Sequence, residues 1–162
     1  MFKVTSSVTD GALKLSLVGQ LDEMAELPQI DLTSVDNILI EVDQVSLINS
    51  SGIRGWMMWA KSLKGPRITV ERCTRIFVDQ SNMIRTFIPE WFQVNCFDVP
   101  YFCENCGTSF HLTQPVPKNP TDWTPDETHT CIKCGAQADL DAIPERYVRF
   151  LADLCAREKV DE

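Results

Sequence analysis

The stretch Ile38-Leu39-Ile40-Glu41-Val42-Asp43, leading through Val45 and Ile48 into Asn49-Ser50-Ser51-Gly52-Ile53, decides how this chain is read. Its apolar, β-branched residues predict a strand over 38–42. Beyond Gly52, Ile53, Trp56, Met57, Ala60 and Leu63 fall on one stripe of a helix. Ser50 and Ser51 therefore sit where a strand ends and a helix begins. Free backbone N–H groups and the positive end of the helix dipole favour a side-chain oxygen or a phosphate there. A serine so placed either caps the helix or serves as a switch.

Working outward, Val4 to Val8 alternates as a strand, and Leu13, Leu15 and Leu17 alternate within the run that ends Gly19-Gln20-Leu21-Asp22. Downstream come a strand at Ile68-Thr69-Val70-Glu71, a helix around 75–85 and a last strand near 92–97. This order resembles the STAS domain, the fold of anti-sigma-factor antagonists and of transporter cytoplasmic tails, over residues 1–100. Gly19-Gln20-Leu21-Asp22 is similar to the family's Gly-x-Leu-Asp strand end. Asn49-Ser50-Ser51-Gly52 is similar to its Asp-Ser-Ser-Gly turn.

The resemblance implies an α/β (α+β) fold, a mixed sheet flanked by helices. It also implies a regulatory, non-enzymatic role in bacterial partner switching, with Ser50 as the phosphorylated residue beside Asn49, Ser51 and Gly52. Its partner would be a kinase or an anti-sigma-like protein. Two departures stand out. Asn49 occupies a position where many members carry Asp, so the carboxylate beside the serine is missing. The family's first helix would have to fit between Glu23 and Asp36, where Pro28 disrupts it, so it is expected to be short or absent.

Seven cysteines point to a second unit. Four form the pairs Cys103-Glu104-Asn105-Cys106-Gly107 and Cys131-Ile132-Lys133-Cys134-Gly135, with 24 residues (107–130) between them. A two-residue gap lets both sulfurs of a pair face one ion, and the glycine permits the tight turn. Two such knuckles make a tetrahedral four-thiolate site, the closed geometry of structural zinc. Residues 101–140 thus resemble a zinc ribbon. Rubredoxin iron sites use similar knuckles, but with dense aromatics and a proline in the second knuckle, which here reads Cys-Ile-Lys-Cys; zinc is the expected metal. His111 and His129 are redundant as ligands, and Cys73, Cys96 and Cys155 read as packing residues.

The expected organisation is a STAS-like domain over 1–100, a zinc ribbon over 101–142 and a closing helix over 143–162. Between the knuckles, Leu112 to Thr130 holds Pro115, Pro117, Pro120 and Pro125 and reads as loop. In it, Trp123 either anchors on the ribbon or is exposed to a partner. On the helix after the serines, Met58 and Trp59 widen the apolar stripe, offering a partner surface or a face that the C-terminal part covers. Ile143, Tyr147, Phe150, Leu151 and Leu154 share one helical face, which packs the ribbon on the first domain or forms a homodimer contact.

Composition excludes several classes. With 44% hydrophobic residues the chain is ordered rather than disordered. No apolar run reaches the 18 or so residues of a membrane span, and Met-Phe-Lys-Val-Thr carries no apolar leader core, so the cytoplasm is the expected location. Residues 1–100 hold 9 Lys+Arg against 12 Asp+Glu, net −3, and residues 101–162 hold 6 against 11, net −5. Neither has the basic footprint of a nucleic-acid binder, which disfavours a transcription adaptor. No His-Glu-x-x-His, phosphate-cradling glycine loop or Gly-x-Ser-x-Gly elbow occurs, so no enzyme is expected. The alternative to a switch is an assembly scaffold in which the ribbon mediates contacts and Ser50 only caps a helix.

Overall fold

Strands β1 (Lys3–Thr9) and β2 (Ala12–Leu21) form an antiparallel hairpin at the edge of the sheet. Next to β2, in parallel order, lie β3 (Asn37–Ile48), β4 (Arg67–Cys73) and β5 (Phe92–Cys103). The computed structural model describes residues 1–119 and 123–158. Helix α1 (Ser50–Ser62) follows β3 and α2 (Arg75–Met83) follows β4. The residues between β2 and β3 contain turns but no helix, as Pro28 requires.

Both helices lie on one face of the sheet, because Trp56 of α1 meets Phe77 of α2 edge-on, ring centroids 5.1 Å apart. Under them Leu13, Leu15, Leu17, Ile38, Ile40, Val42, Ile68 and Val70 are buried. The Trp56 indole N–H donates to Phe87 O at 2.8 Å, so this large ring is buried without an orphaned donor. The opposite face is polar: Lys14 pairs with Glu41 at 2.8 Å and Asn95 donates to Glu71 at 2.7 Å.

Two strands outrun their expected ends. β3 extends to Ile48 because a register shift opposite Ser16–Val18 lets Val42 and Val45, an odd number of residues apart, both face the core. β5 continues past residue 100 as a continuous buried run from Phe97 to Tyr101, closed by buried Cys103. The expected edge of the first domain therefore falls inside a strand.

β6 (Thr108–Pro115) pairs with β5 along Cys96–Cys103, while β8 (Gln137–Leu140) pairs with β5 at Tyr101 and Phe102 and with β7 (Thr128–Thr130). The ends of the expected loop, Leu112–Pro115 and Thr128–Thr130, are thus strand; Pro120 lies outside the described residues. Asp98, 2% exposed, joins β4, β5 and β6 through Arg72 (3.5 Å), Thr113 (2.8 Å) and His111 (3.4 Å). Arg75 of α2 pairs with Asp141 at 2.6 Å.

The C-terminal segment folds as two helices, α3 (Pro144–Tyr147) and α4 (Arg149–Glu158), broken at Val148; residues 159–162 lie outside the described residues. Asn82 of α2 serves the break, donating to Tyr147 O and accepting from Phe150 N, each at 2.9 Å. Tyr147, Phe150, Leu151 and Leu154 are buried, while Ile143 is 54% exposed and outside their stripe. The segment packs on the first domain, with the Tyr147 hydroxyl donating to Asp98 O and Phe150 against Phe97.

Candidate functional site

The β5–β6 and β7–β8 turns carry one cysteine pair each, and the pairing of β5 with β8 brings the turns together. Gly107 and Gly135 sit at φ +71° and +76°, where an L side chain is strained. Their N–H groups donate back to Cys103 O (2.8 Å) and Cys131 O (3.1 Å). Tyr101, stacked on Phe110, closes the inside of this unit, its hydroxyl donating to Asp126 O at 2.8 Å.

The four sulfurs of Cys103, Cys106, Cys131 and Cys134 lie within 4.8 Å of one another. Cys103 and Cys134 are 3.6 Å apart and Cys106 and Cys131 are 3.7 Å apart. A tetrahedron with metal–sulfur bonds of about 2.3 Å has edges of about 3.8 Å. A disulfide needs about 2.05 Å, and none of the seven cysteines is in one. The donor set therefore fits a metal ion. Neither histidine belongs to it.

Polar groups surround the sulfurs. Asn105 Nδ2 donates to Cys134 and Lys133 N to Cys131, each at 3.4 Å, and Thr108 Oγ1 lies 3.1 Å from Cys106. The Asn105 amide, then the Ala136 backbone N–H, holds the exposed Cys134 thiol down at about 6. The Cys106 N–H also draws Cys103 down, but desolvation and the other three sulfurs outweigh it and push that thiol up to about 11. Four thiols this close cannot all ionise alone; a divalent cation makes the four-thiolate state accessible. With four protein ligands such an ion would have no open position for a substrate. Elsewhere Cys73 and Cys155 are buried, and half-buried Cys96 donates to Glu71 O at 3.1 Å.

At the other end of the sheet the serine turn differs from expectation in one respect: Asn49, not a serine, caps α1. Its Oδ1 accepts the Gly52 N–H at 2.9 Å, while its Nδ2 donates to Glu23 Oε2 at 2.9 Å. An amide does both at once, which a hydroxyl of Ser50 or Ser51 would do less well from inside the helix. Ser50 is the first helical residue, and both serines are exposed. Asn49→Ala should cost about 1 kcal/mol and lower Tm by about 3 °C in a thermal melt, by loss of the cap.

The two sequence motifs meet at this point. Asn49 N donates to Leu21 O at 3.1 Å, and Gly52 packs so tightly on the same carbonyl that an added Cβ would lie 1.7 Å from it. Met58 is 69% exposed. Trp59, expected as a partner surface or under the C-terminal part, is instead covered by the β2–β3 connection: it is 8% exposed and donates to Pro28 O at 2.7 Å. Trp123, half-buried, packs edge-on against Phe97 of β5, at 5.4 Å. Glu23 and Asn105 were not apparent from sequence, since no spacing links either to its partner.

Compared with known proteins, the chain matches no protein-family model and no curated sequence. No helix among the described residues is long and apolar enough to cross a membrane.

Proposed function

We propose that this chain is a non-enzymatic, STAS-like regulatory module of the cytoplasm. In this reading it docks a protein partner through the Ser50 end of α1, phosphorylation of Ser50 switches that docking, and one structural zinc holds the four-cysteine ribbon. The observation that carries it is the junction of Leu21 with Gly52, which leaves Ser50 exposed at the first turn of a helix. Because Asn49 performs the capping, the Ser50 hydroxyl has no such duty, and this favours a switch over a scaffold with a capping serine. Glu23, held ionised below the usual carboxylate range by the Asn49 amide, restores a carboxylate to a turn whose own Asp is replaced.

A phosphate on Ser50 would be stabilised by the free N–H groups of α1, whose first turn holds no acidic residue. It would add roughly two negative charges to the docking surface and so weaken binding. The partner, isolated from the source cells with the wild-type chain, is titrated with wild type, Ser50→Ala and Ser50→Asp. Ser50→Asp is expected to bind at least tenfold more weakly, about 1.4 kcal/mol, with little change in Tm. Equal affinities would put the scaffold reading first.

A further inference from the structure

The outward face of α1 holds a residue that the fold does not explain. Gly55 is exposed in the middle of the helix, and an added Cβ would meet nothing within 4 Å. Gly52, one turn earlier, has a reason in its contact with Leu21 O; Gly55 has none. Glycine is the poorest helix former after proline, so keeping one here works against the helix. Arg54, Met58 and Lys61, at i, i+4 and i+7, form one exposed stripe of the helix, which adjoins Gly55 through Met58. Arg54 and Lys61 form no ion pair among the described residues. The helix contains no Asp or Glu, in a chain of net charge −8. Glu23, the carboxylate bonded at its N-terminal end, is engaged by Asn49.

We propose that this face receives an acidic amphipathic helix of the partner protein, crossing α1 at Gly55. The inference rests on the partner-binding reading above and names the chemistry of the partner. A helix fits because the backbone groups of α1 are satisfied internally, leaving only side-chain ridges and grooves to match. A crossing at a residue without a side chain brings two helix axes close, with Met58 supplying the apolar contact. An acidic partner fits because two cations without an ion pair among the described residues line the stripe beside that crossing, while the net-negative remainder of the chain repels such a partner elsewhere. A phosphate on Ser50, one turn from Arg54, would offset that cation and repel the incoming carboxylates.

The test places a photo-crosslinking amino acid at Met58 of the full chain in its source cells, and the joined peptide is sequenced by mass spectrometry. The expected crosslink is to a helical segment rich in Asp and Glu. Its yield should fall at least tenfold with Arg54→Glu and Lys61→Glu together, and equally with Gly55→Leu. Gly55→Ala should raise Tm by about 2 °C, showing that the fold does not need the glycine. No crosslink, a crosslink to a segment without net negative charge or to a second copy of this chain, or a yield unmoved by charge reversal would overturn the proposal. If Ser50→Asp leaves the crosslink intact while charge reversal abolishes it, the docking face stands and the switch falls. The opposite pattern would leave the switch and remove the acidic helix.

Discussion

Cys106→Ser is expected to unfold the ribbon while the first domain stays folded. The purified wild-type chain should carry one zinc per molecule by elemental analysis, on Cys103, Cys106, Cys131 and Cys134. Metal-binding energy in such sites is largely folding energy, about 10–16 kcal/mol in isolated zinc-finger peptides, so losing one ligand should cost the ribbon on the order of 5 kcal/mol or more. β7 spans only Thr128–Thr130 and all three residues are exposed, so little besides its pairing with β8 and an ion bound at the cysteines would hold it. The boundary of unfolding should fall within β5. Its first half pairs with β4, from Ile68↔Phe92 to Cys73↔Phe97, and belongs to the main core. Its second half pairs with β6 and β8 and ends at a ligand. Amide exchange in Cys106→Ser should therefore accelerate over β6, β7 and β8 and over Val99–Cys103, and remain slow over β2, β3 and β4. Retained protection across β6–β8, iron as the bound metal, or four free thiols in the wild type would each defeat this expectation.

The four-cysteine cluster was legible because Cys-x-x-Cys-Gly encodes the geometry of each pair within five residues; the sheet supplies only the meeting of the two turns. The sheet itself was legible where alternation is regular, as at Leu13, Leu15 and Leu17, which are all buried. It was misread where the chain departs from period two. Val42 and Val45 both face the core through a register shift that no local signal marks. Trp59 is hidden by a connection 31 residues away, through a bond to Pro28 O, and a tertiary contact of that kind leaves no periodic trace. Trp123 followed the same logic, finding Phe97 on a strand whose length was itself underestimated. At the serine turn the capping duty falls to Asn49 and not to a serine. Asn49 caps and binds Glu23, a pairing across 26 positions that only the folded chain brings together.

Gly52→Ala should be among the most damaging single-methyl changes in the chain. The substituent would lie 1.7 Å from Leu21 O and 2.3 Å from Leu21 C, and both are backbone atoms that no rotamer change can move aside. Relief requires the start of α1 to retreat from the end of β2. That movement breaks the Asn49 N–H bond to Leu21 O and disturbs the Asn49 cap, two contacts made within the same turn. A buried backbone clash with loss of a cap belongs to the large-effect class, on the order of 3–5 kcal/mol, or a fall in Tm of about 10 °C. The contrast with Gly55 makes the argument specific. Both glycines lie in α1, three residues apart, and helix propensity alone predicts that alanine would stabilise either. Contact geometry predicts opposite signs, a gain at Gly55 and a severe loss at Gly52. Thermal melts of the two variants side by side decide it: a Gly52→Ala protein as stable as the wild type would mean that α1 does not seat on the β2 end as described. The surface that presents Ser50 would then lose its structural basis.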